Sequence, residues 1–225
     1  MNTPDIVTKE ELKSPIKTNE AEVWVQCLLK RFHQTEESKQ FYFLKKGIVQ
    51  DIVDELLPLS KYATYAYDNP DIYLKFYPGS LTSYDADFID INGRLIERVE
   101  VTMALDGQQE RIQSECLIKH GFTPIYQTPK FSGKAKDREI EEWGHDLIES
   151  DVVIKQQAEL IQSVYNKKVN KIHKYPNTTL LIGMNAHLLM SWEYEEIIGK
   201  IVLNKPTFQS VKLVNIANGQ FWDLE

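Results

Sequence analysis

The sequence is poor in the residues on which many metal and redox sites depend. Among 225 residues it has two cysteines and five histidines, and no two histidines lie at a spacing typical of metal ligands. Cys27 and Cys116 both fall in predicted helices, which favours two reduced, packed thiols. These features argue against a disulfide-stapled fold and against a zinc site.

Long apolar runs are also missing. No stretch of about eighteen apolar residues is present, so we expect no membrane-spanning helix and no membrane partner. The first residues lack the basic and apolar regions of a signal peptide. The sequence therefore predicts a cytoplasmic protein.

Several common catalytic motifs are absent as well. The chain has no glycine-rich phosphate loop, no Gly-x-Ser-x-Gly elbow and no His-Glu-x-x-His pair. The formal net charge of −7 argues against broad, non-specific binding to nucleic acid, because such binding is mainly electrostatic. It does not exclude a nuclease, since carboxylates that hold a metal themselves add negative charge.

What the sequence does contain is a strong hairpin signal. Apolar and β-branched runs flank Asn92-Gly93, a pair typical of a two-residue hairpin turn. The predicted register sets Ile91 opposite Arg94, Ile89 opposite Ile96, Asp87 opposite Arg98 and Asp85 opposite Glu100. Because alternate residues share a face, one face of the hairpin is predicted to be acidic and the other apolar.

The two predicted faces differ in chemistry. The apolar face carries Phe88, Leu95, Val99 and Val101, which we expect in the core. The acidic face carries Asp85, Asp87, Glu100 and Thr102, with Arg98 among them. Carboxylates gathered in this way suit a hard cation such as Mg²⁺, which one or two of them can hold together with waters and phosphate oxygens.

The order of predicted elements indicates an α/β fold with a mixed sheet flanked by helices. We expect an N-terminal arm and helix in residues 1–42 and a core domain in 43–225. Predicted helices lie at 19–32, 43–62, 106–120, 150–176 and 191–203, predicted strands outside the hairpin at 72–76, 178–184 and 211–216, and predicted loops at 34–40 and 122–143. A second hairpin is expected around Asn218-Gly219.

Glu55 stands out within the second predicted helix. It falls in the stripe of apolar residues that includes Ile48, Ile52 and Leu59. A glutamate on a buried face is uncommon unless it is paired or bound to a ligand. The alternative is that Glu55 lies at the edge of the stripe and reaches solvent.

Asp87, the segment Glu100-Val-Thr102 and the order of the surrounding elements resemble the PD-(D/E)XK, or restriction-endonuclease-like, nuclease superfamily. Two positions depart from that pattern: Ala86 replaces the usual proline and Thr102 replaces the usual lysine. The resemblance implies a restriction-endonuclease-like core and Mg²⁺- or Mn²⁺-dependent hydrolysis of phosphodiester bonds, with DNA favoured over RNA.

The resemblance also implies roles for individual residues. Asp87 and Glu100 would bind the metal, Glu55 would add a further carboxylate, and Thr102 would hold the attacking water. Asp85 is the alternative metal ligand if the register differs by two residues. Gln109 and Arg111, in the first turn of the next helix, are accessory candidates for the lost lysine.

Basic residues concentrate late in the long helix predicted at 150–176. Lys167, Lys168, Lys171 and Lys174 are the candidates for contacts with nucleic acid, although lysines there also suit the helix dipole. The segment 130–136 is a second basic candidate. The sequence leaves a homodimer open.

Two rival interpretations remain. In one, the nuclease fold is kept without catalysis, and the protein binds nucleic acid or another protein. In the other, the acidic face forms ordinary ion pairs, with Arg98 neutralising Asp87. Thr102 and the acidic composition favour the rivals, whereas Asp87, Glu100 and Glu55 favour the enzyme.

Overall fold

A computed structural model of the chain describes residues 6–79, 82–123, 130–132, 139–142, 149–170, 177–186, 189–203 and 208–224. These residues form a seven-stranded mixed sheet flanked by helices, as the sequence predicts, together with a separate two-stranded sheet. None of the helices in these ranges is long and apolar enough to cross a membrane.

The strands of the main sheet are β1 (Ile16–Lys17), β2 (Ile72–Phe76), β3 (Ala86–Asp90), β4 (Leu95–Met103), β7 (Thr179–Met184), β8 (Ser210–Asn215) and β9 (Phe221–Asp223). Strands β5 (Lys130–Ser132) and β6 (Glu139–Glu142) pair with each other. The helices are α1 (Lys9–Lys13), α2 (Thr18–Arg31), α3 (Glu36–Phe43), α4 (Ile48–Gln50), α5 (Leu57–Ala66), α6 (Gly107–His120), α7 (Ser150–Val169) and α8 (Ser191–Gly199). A π-helical segment, Asp51–Leu56, joins α4 to α5.

The sheet order is β1-β2-β3-β4-β7-β8-β9. Each of the first four strands is antiparallel to its neighbour in that group, whereas β4, β7 and β8 run parallel. Parallel neighbours need crossover connections, and helices lie in both crossovers here. The expected closing hairpin is present as the antiparallel pair β8–β9.

Each face of the sheet has its own core. On one face, Phe88, Val99 and Val101 pack with apolar residues of α2, the π-helical segment and α5. On the other face, Leu180 and Ile182 pack with apolar residues of α7 and α8. Strand β7 is buried on both faces, which agrees with its prediction as a fully buried strand.

The hairpin register is confirmed near the acidic residues but is wrong near the turn. Asp87 pairs with Arg98 as predicted, yet Ile89 pairs with Leu95 rather than with Ile96. The backbone N–H of Asp90 donates to the carbonyl of Arg94, so three residues form the loop instead of two. A β-bulge at Ile96 absorbs the extra residue and restores the predicted register. Leu95, expected in the core, is 52% exposed.

Several other boundaries differ from the prediction. The segment predicted as a loop at 34–40 contains the start of α3, whose N-terminus is stabilised by a capping box between Thr35 and Ser38. The next helix begins at Ile48 rather than at residue 43, and it continues to Ala66. Helix α7 ends at Val169. Strands β5 and β6 occupy parts of the loop predicted at 122–143.

The two cysteines are free, as expected, but only Cys116 is packed. Cys27 lies on the exposed side of α2. Its helical position is therefore correct and its expected burial is wrong, because α2 turns its apolar side of Val25 and Leu28 toward the core instead.

Candidate carboxylate site

Asp85 and Glu100 are two buried carboxylates on neighbouring parts of the hairpin. Asp85 immediately precedes β3 and is 6% exposed, and Glu100 lies on β4 and is 5% exposed. The backbone N–H of Asp85 donates to the carbonyl of Val99, which brings the two chain segments side by side. The side chain of Glu100 lies on the face opposite to the core of Phe88 and Val99, and Asp85 lies just before the start of β3.

The carboxylate of Asp85 has one direct hydrogen-bond donor. Its Oδ2 accepts a 2.7 Å hydrogen bond from the backbone N–H of Val101. Burial, and secondly the negative charge of Glu100, raise the pKa of Asp85 from 3.8 to about 7. This side chain therefore exchanges its proton near neutral pH.

Glu55 completes the acidic group from a different element. It lies in the π-helical segment, which packs against β4. Burial first, then the charges of Asp85, Asp51 and Glu100, raise the pKa of Glu55 from 4.5 to about 8. Its Oε2 is buried and has no hydrogen-bond partner among the described residues. Buried carboxylate oxygens without partners are costly, and π-helical turns occur frequently at functional sites.

Lys168 brings the positive charge to this group. It extends from the last turn of α7, and its ammonium group forms a hydrogen-bonded ion pair with Oε1 of Glu100. The side chain of Lys168 is 20% exposed, so it is directed inward rather than along the protein surface. The sequence pattern suggested a surface contact with nucleic acid for this residue, and its proximity to Glu100 was not foreseen.

Asp87 lies on the same face as Glu100 but has partners of its own. The Nε–H of Arg98 donates to Oδ1 of Asp87 over 3.0 Å, and the hydroxyl of Tyr77 donates to Oδ2 over 2.9 Å. The ion pair with Arg98 is the one expected in the second rival interpretation. The structure thus brings Asp85, rather than Asp87, next to Glu100 and Glu55.

The remaining predicted site residues lie around this group or apart from it. Thr102 follows Glu100 on the same face of β4. Arg111 is directed to Glu115 on its own helix α6, where Gln109 is also located, and Lys167 is exposed on α7. Lys171 and Lys174 lie outside the described residues, as does most of the basic segment 130–136. The roles predicted for these residues stay predictions.

A second carboxylate, Glu97, occupies the opposite face of the sheet. It accepts hydrogen bonds from the hydroxyls of Tyr62, Tyr67 and Thr179. Tyr62 and Tyr67 thus serve packing and hydrogen bonding in the core. Glu97 has donors on both of its oxygens, in contrast to Glu55.

The donor set of the carboxylate site suits a hard divalent cation. Within the described residues, no three Asp, Glu, His or Cys side chains form a group that could hold a metal ion by themselves. Mg²⁺ needs fewer protein ligands, because it commonly takes one or two carboxylates and completes its shell with waters and phosphate oxygens. Asp85 and Glu100 meet that requirement, and the unpartnered Oε2 of Glu55 is a further oxygen donor.

No family model, curated protein or solved structure matches this chain. The candidate site therefore stands on its own geometry and charge.

Proposed function

We propose that this chain is a divalent-metal-dependent nuclease with a divergent restriction-endonuclease-like core, acting on phosphodiester bonds of nucleic acid, with DNA favoured over RNA. The observation that supports this most directly is the electrostatic coupling of Glu55 and Asp85 to each other and to Glu100, which forms an ion pair with Lys168. Burial and the charges of the neighbouring acids raise the pKa of Glu55 and of Asp85, so a bound cation would relieve this repulsion.

In this proposal Asp85 and Glu100 hold Mg²⁺ or Mn²⁺, and Asp87 lies one residue pair away with its charge already balanced by Arg98. A metal at this position supplies Lewis-acid polarisation of a phosphoryl oxygen and lowers the pKa of bound water. This choice of ligands differs from the pairing of Asp87 with Glu100 that the motif spacing suggests.

The other side chains have separate roles. Lys168 provides the positive charge that the lysine at position 102 would provide in the superfamily, and it can shift from Glu100 toward a phosphate oxygen. The hydroxyl of Thr102 orients water. The pKa of Glu55 is raised to about 8, so above that pH Glu55 is ionised and can accept a proton from that water.

The test combines metal binding with cleavage. Mn²⁺ binding is followed by electron paramagnetic resonance, and cleavage by gel analysis of labelled single- and double-stranded oligonucleotides. Asp85→Asn and Glu100→Gln are expected to lose both the bound Mn²⁺ and at least a hundredfold of the cleavage rate. Asp87→Asn is the matched carboxylate-to-amide control and should retain Mn²⁺ binding. Loss of Mn²⁺ in Asp87→Asn but not in Asp85→Asn would reverse the assignment of ligands.

A second candidate function is a binding module with the same fold and no catalysis. The observation in its favour is that Lys168 already neutralises Glu100. Thr102 is uncharged and cannot supply a positive charge in place of Lys168. Binding of oligonucleotides without any Mn²⁺ uptake or cleavage would support this alternative.

The cytoplasmic location belongs to the proposal too, since both cysteines are free thiols. A homodimer stays a prediction.

A further inference from the structure

A row of charged and aromatic side chains crosses the sheet next to the carboxylate site. Lys75 on β2 pairs in register with Asp87 on β3, which pairs with Arg98 on β4. Residues paired in this way lie on the same face, so two cations flank one carboxylate. The row therefore carries an excess of one positive charge in an acidic protein.

Arg98 is held in a fixed orientation. Its Nε–H is bound to Asp87, and its guanidinium group lies 3.9 Å from the ring centroid of Tyr84. Tyr84 in turn packs edge-on against Tyr77, whose hydroxyl holds the other oxygen of Asp87. Both terminal NH₂ groups of Arg98 are left without an acceptor among the described residues, and its side chain is 31% exposed.

Lys75 also has no carboxylate partner among the described residues. Its ammonium group lies 5.4 Å from the ring centroid of Tyr77, on the same face as Asp87. An ordinary structural ion pair would need only Arg98 to balance Asp87. The second cation and the free guanidinium edge remain unexplained by such a pair.

A fixed guanidinium with two free NH₂ groups is well suited to bind a phosphate through paired hydrogen bonds. Arg98 and Glu100 are alternate residues of one strand, so their positions are separated by about 6.6–6.8 Å. That separation is close to the distance between successive phosphates along a nucleic-acid strand. We propose that Arg98 and Lys75 form a subsite for the phosphodiester next to the one held at Asp85 and Glu100.

This inference rests on the proposed nuclease function, and it makes the substrate more specific. The ligand is a strand with at least two consecutive phosphodiesters, rather than a mononucleotide or a single phosphate ester. Tyr84 and Arg98 position the strand, whereas Asp85 and Glu100 hold the reacting phosphate.

The experiment measures binding independently of cleavage. A short fluorescein-labelled single-stranded oligonucleotide is titrated with the protein in Ca²⁺ over a range of salt concentrations, using fluorescence anisotropy. Each phosphate contact on a single strand contributes about 0.7 to the slope of log K against log salt. Lys75→Gln and Arg98→Gln are each expected to lower that slope by up to this amount and to weaken binding about tenfold. Lys30→Gln, on α2, is the control and should leave the slope unchanged.

Arg98→Gln also removes the partner of a buried carboxylate, so Asp87→Asn/Arg98→Gln is included to avoid an unbalanced charge. Lys75→Gln has no such effect on folding. A second probe is bis(4-nitrophenyl) phosphate, which has only one phosphodiester. Its Mn²⁺-dependent hydrolysis should be unchanged in Lys75→Gln, while cleavage of the oligonucleotide falls about tenfold.

The outcomes separate the two proposals. Unchanged salt slopes in the Lys75 and Arg98 variants, or no oligonucleotide binding by the native protein, would overturn the subsite. Binding with the expected slopes but without cleavage would support the subsite and contradict the nuclease. Equal losses with both substrates would mean that the row only supports the carboxylate site structurally, which also overturns the subsite.

Discussion

Two carboxylate centres lie on β4 or beside it, and they differ in how their charge is satisfied. At one centre, Glu97 accepts hydrogen bonds from three hydroxyl groups, those of Tyr62, Tyr67 and Thr179. At the other centre, Oε2 of Glu55 has no hydrogen-bond partner among the described residues, and burial and the acids around it raise the pKa of Glu55. Both centres are partly or fully enclosed, so burial alone does not distinguish them.

The difference is one of donors. A carboxylate surrounded by hydroxyl donors stabilises the fold and has no capacity left for a ligand. A group of acids with one lysine has unsatisfied negative charge, which costs stability and attracts a cation. We therefore interpret Glu97 as structural and the group of Glu55, Asp85 and Glu100 as the functional site. Four substitutions or additions test this comparison.

The largest effect is expected from removing the ammonium group of Lys168 from the carboxylate site. Lys168→Met should lower the free energy of unfolding by about 3 kcal/mol, because Glu100 then loses the partner that balances its buried charge. Thermal or urea unfolding provides the measurement. Lys167→Met, one residue away and exposed, should change the stability by less than about 0.5 kcal/mol. Equal stability of the two variants would contradict the inward role of Lys168.

The next effect concerns the other centre. Glu97→Leu should reduce the free energy of unfolding by about 2 kcal/mol, since hydroxyls of Tyr62, Tyr67 and Thr179 lose their acceptor. Tyr67→Phe removes a single donor and should cost about 1 kcal/mol. Neither change should affect Mn²⁺ binding. A loss of Mn²⁺ binding in a fully folded Glu97→Leu variant would end the distinction between the two centres.

Divalent cations should stabilise the folded protein, and only by binding at the carboxylate site. At a free Mn²⁺ concentration tenfold above Kd, the folded state gains about 1.4 kcal/mol, which corresponds to roughly 3–6 °C in Tm for a chain of this size. The gain should be greater at pH 8 than at pH 6, because the cation must displace protons from Glu55 and Asp85. Scanning calorimetry tests this, and the gain should vanish in Asp85→Asn but persist in Glu97→Gln.

The last effect is a change in the pH dependence of stability. The folded state holds a proton on Glu55 up to about pH 8, whereas the unfolded chain releases it near pH 4.5. Native stability should therefore fall as the pH rises through this window. Glu55→Gln lacks this ionisation, so it should match the native protein at pH 4 and be the more stable of the two at pH 9. Unfolding curves at the two pH values provide the check, and an advantage that is greater at acid pH would contradict the assignment.

The sequence predicts most of the fold, because patterning and turn signals are local. The limits of β2 follow from its composition and from Pro78-Gly79, and the fully apolar β7 is recognisable as a buried strand. Helix α3 was missed because its residues are polar and its stability comes from a capping box and from packing of Phe41. The π-helical segment has no sequence signal that distinguishes it from an ordinary helix with Pro58 nearby.

The site was predictable only in part. The position of Glu55 in an apolar stripe indicated an unusual carboxylate, and the hairpin pairing placed Asp85 beside Glu100. Asp51 was the neighbour that sequence analysis missed, although its spacing of four residues from Glu55 was a usable signal. The contact of Lys168 with Glu100 joins α7 to β4, and no pattern within either segment reveals a contact over that separation.

The bulge at Ile96 has a practical consequence for engineering. The bulge lies between the loop and the pair of Asp87 with Arg98, so it can take up a residue that the loop adds to the strand. Insertions at Asn92-Gly93 leave both the bulge and the strand pairs beyond it intact. The tip of the hairpin is therefore the place to attach a fluorophore or an affinity tag.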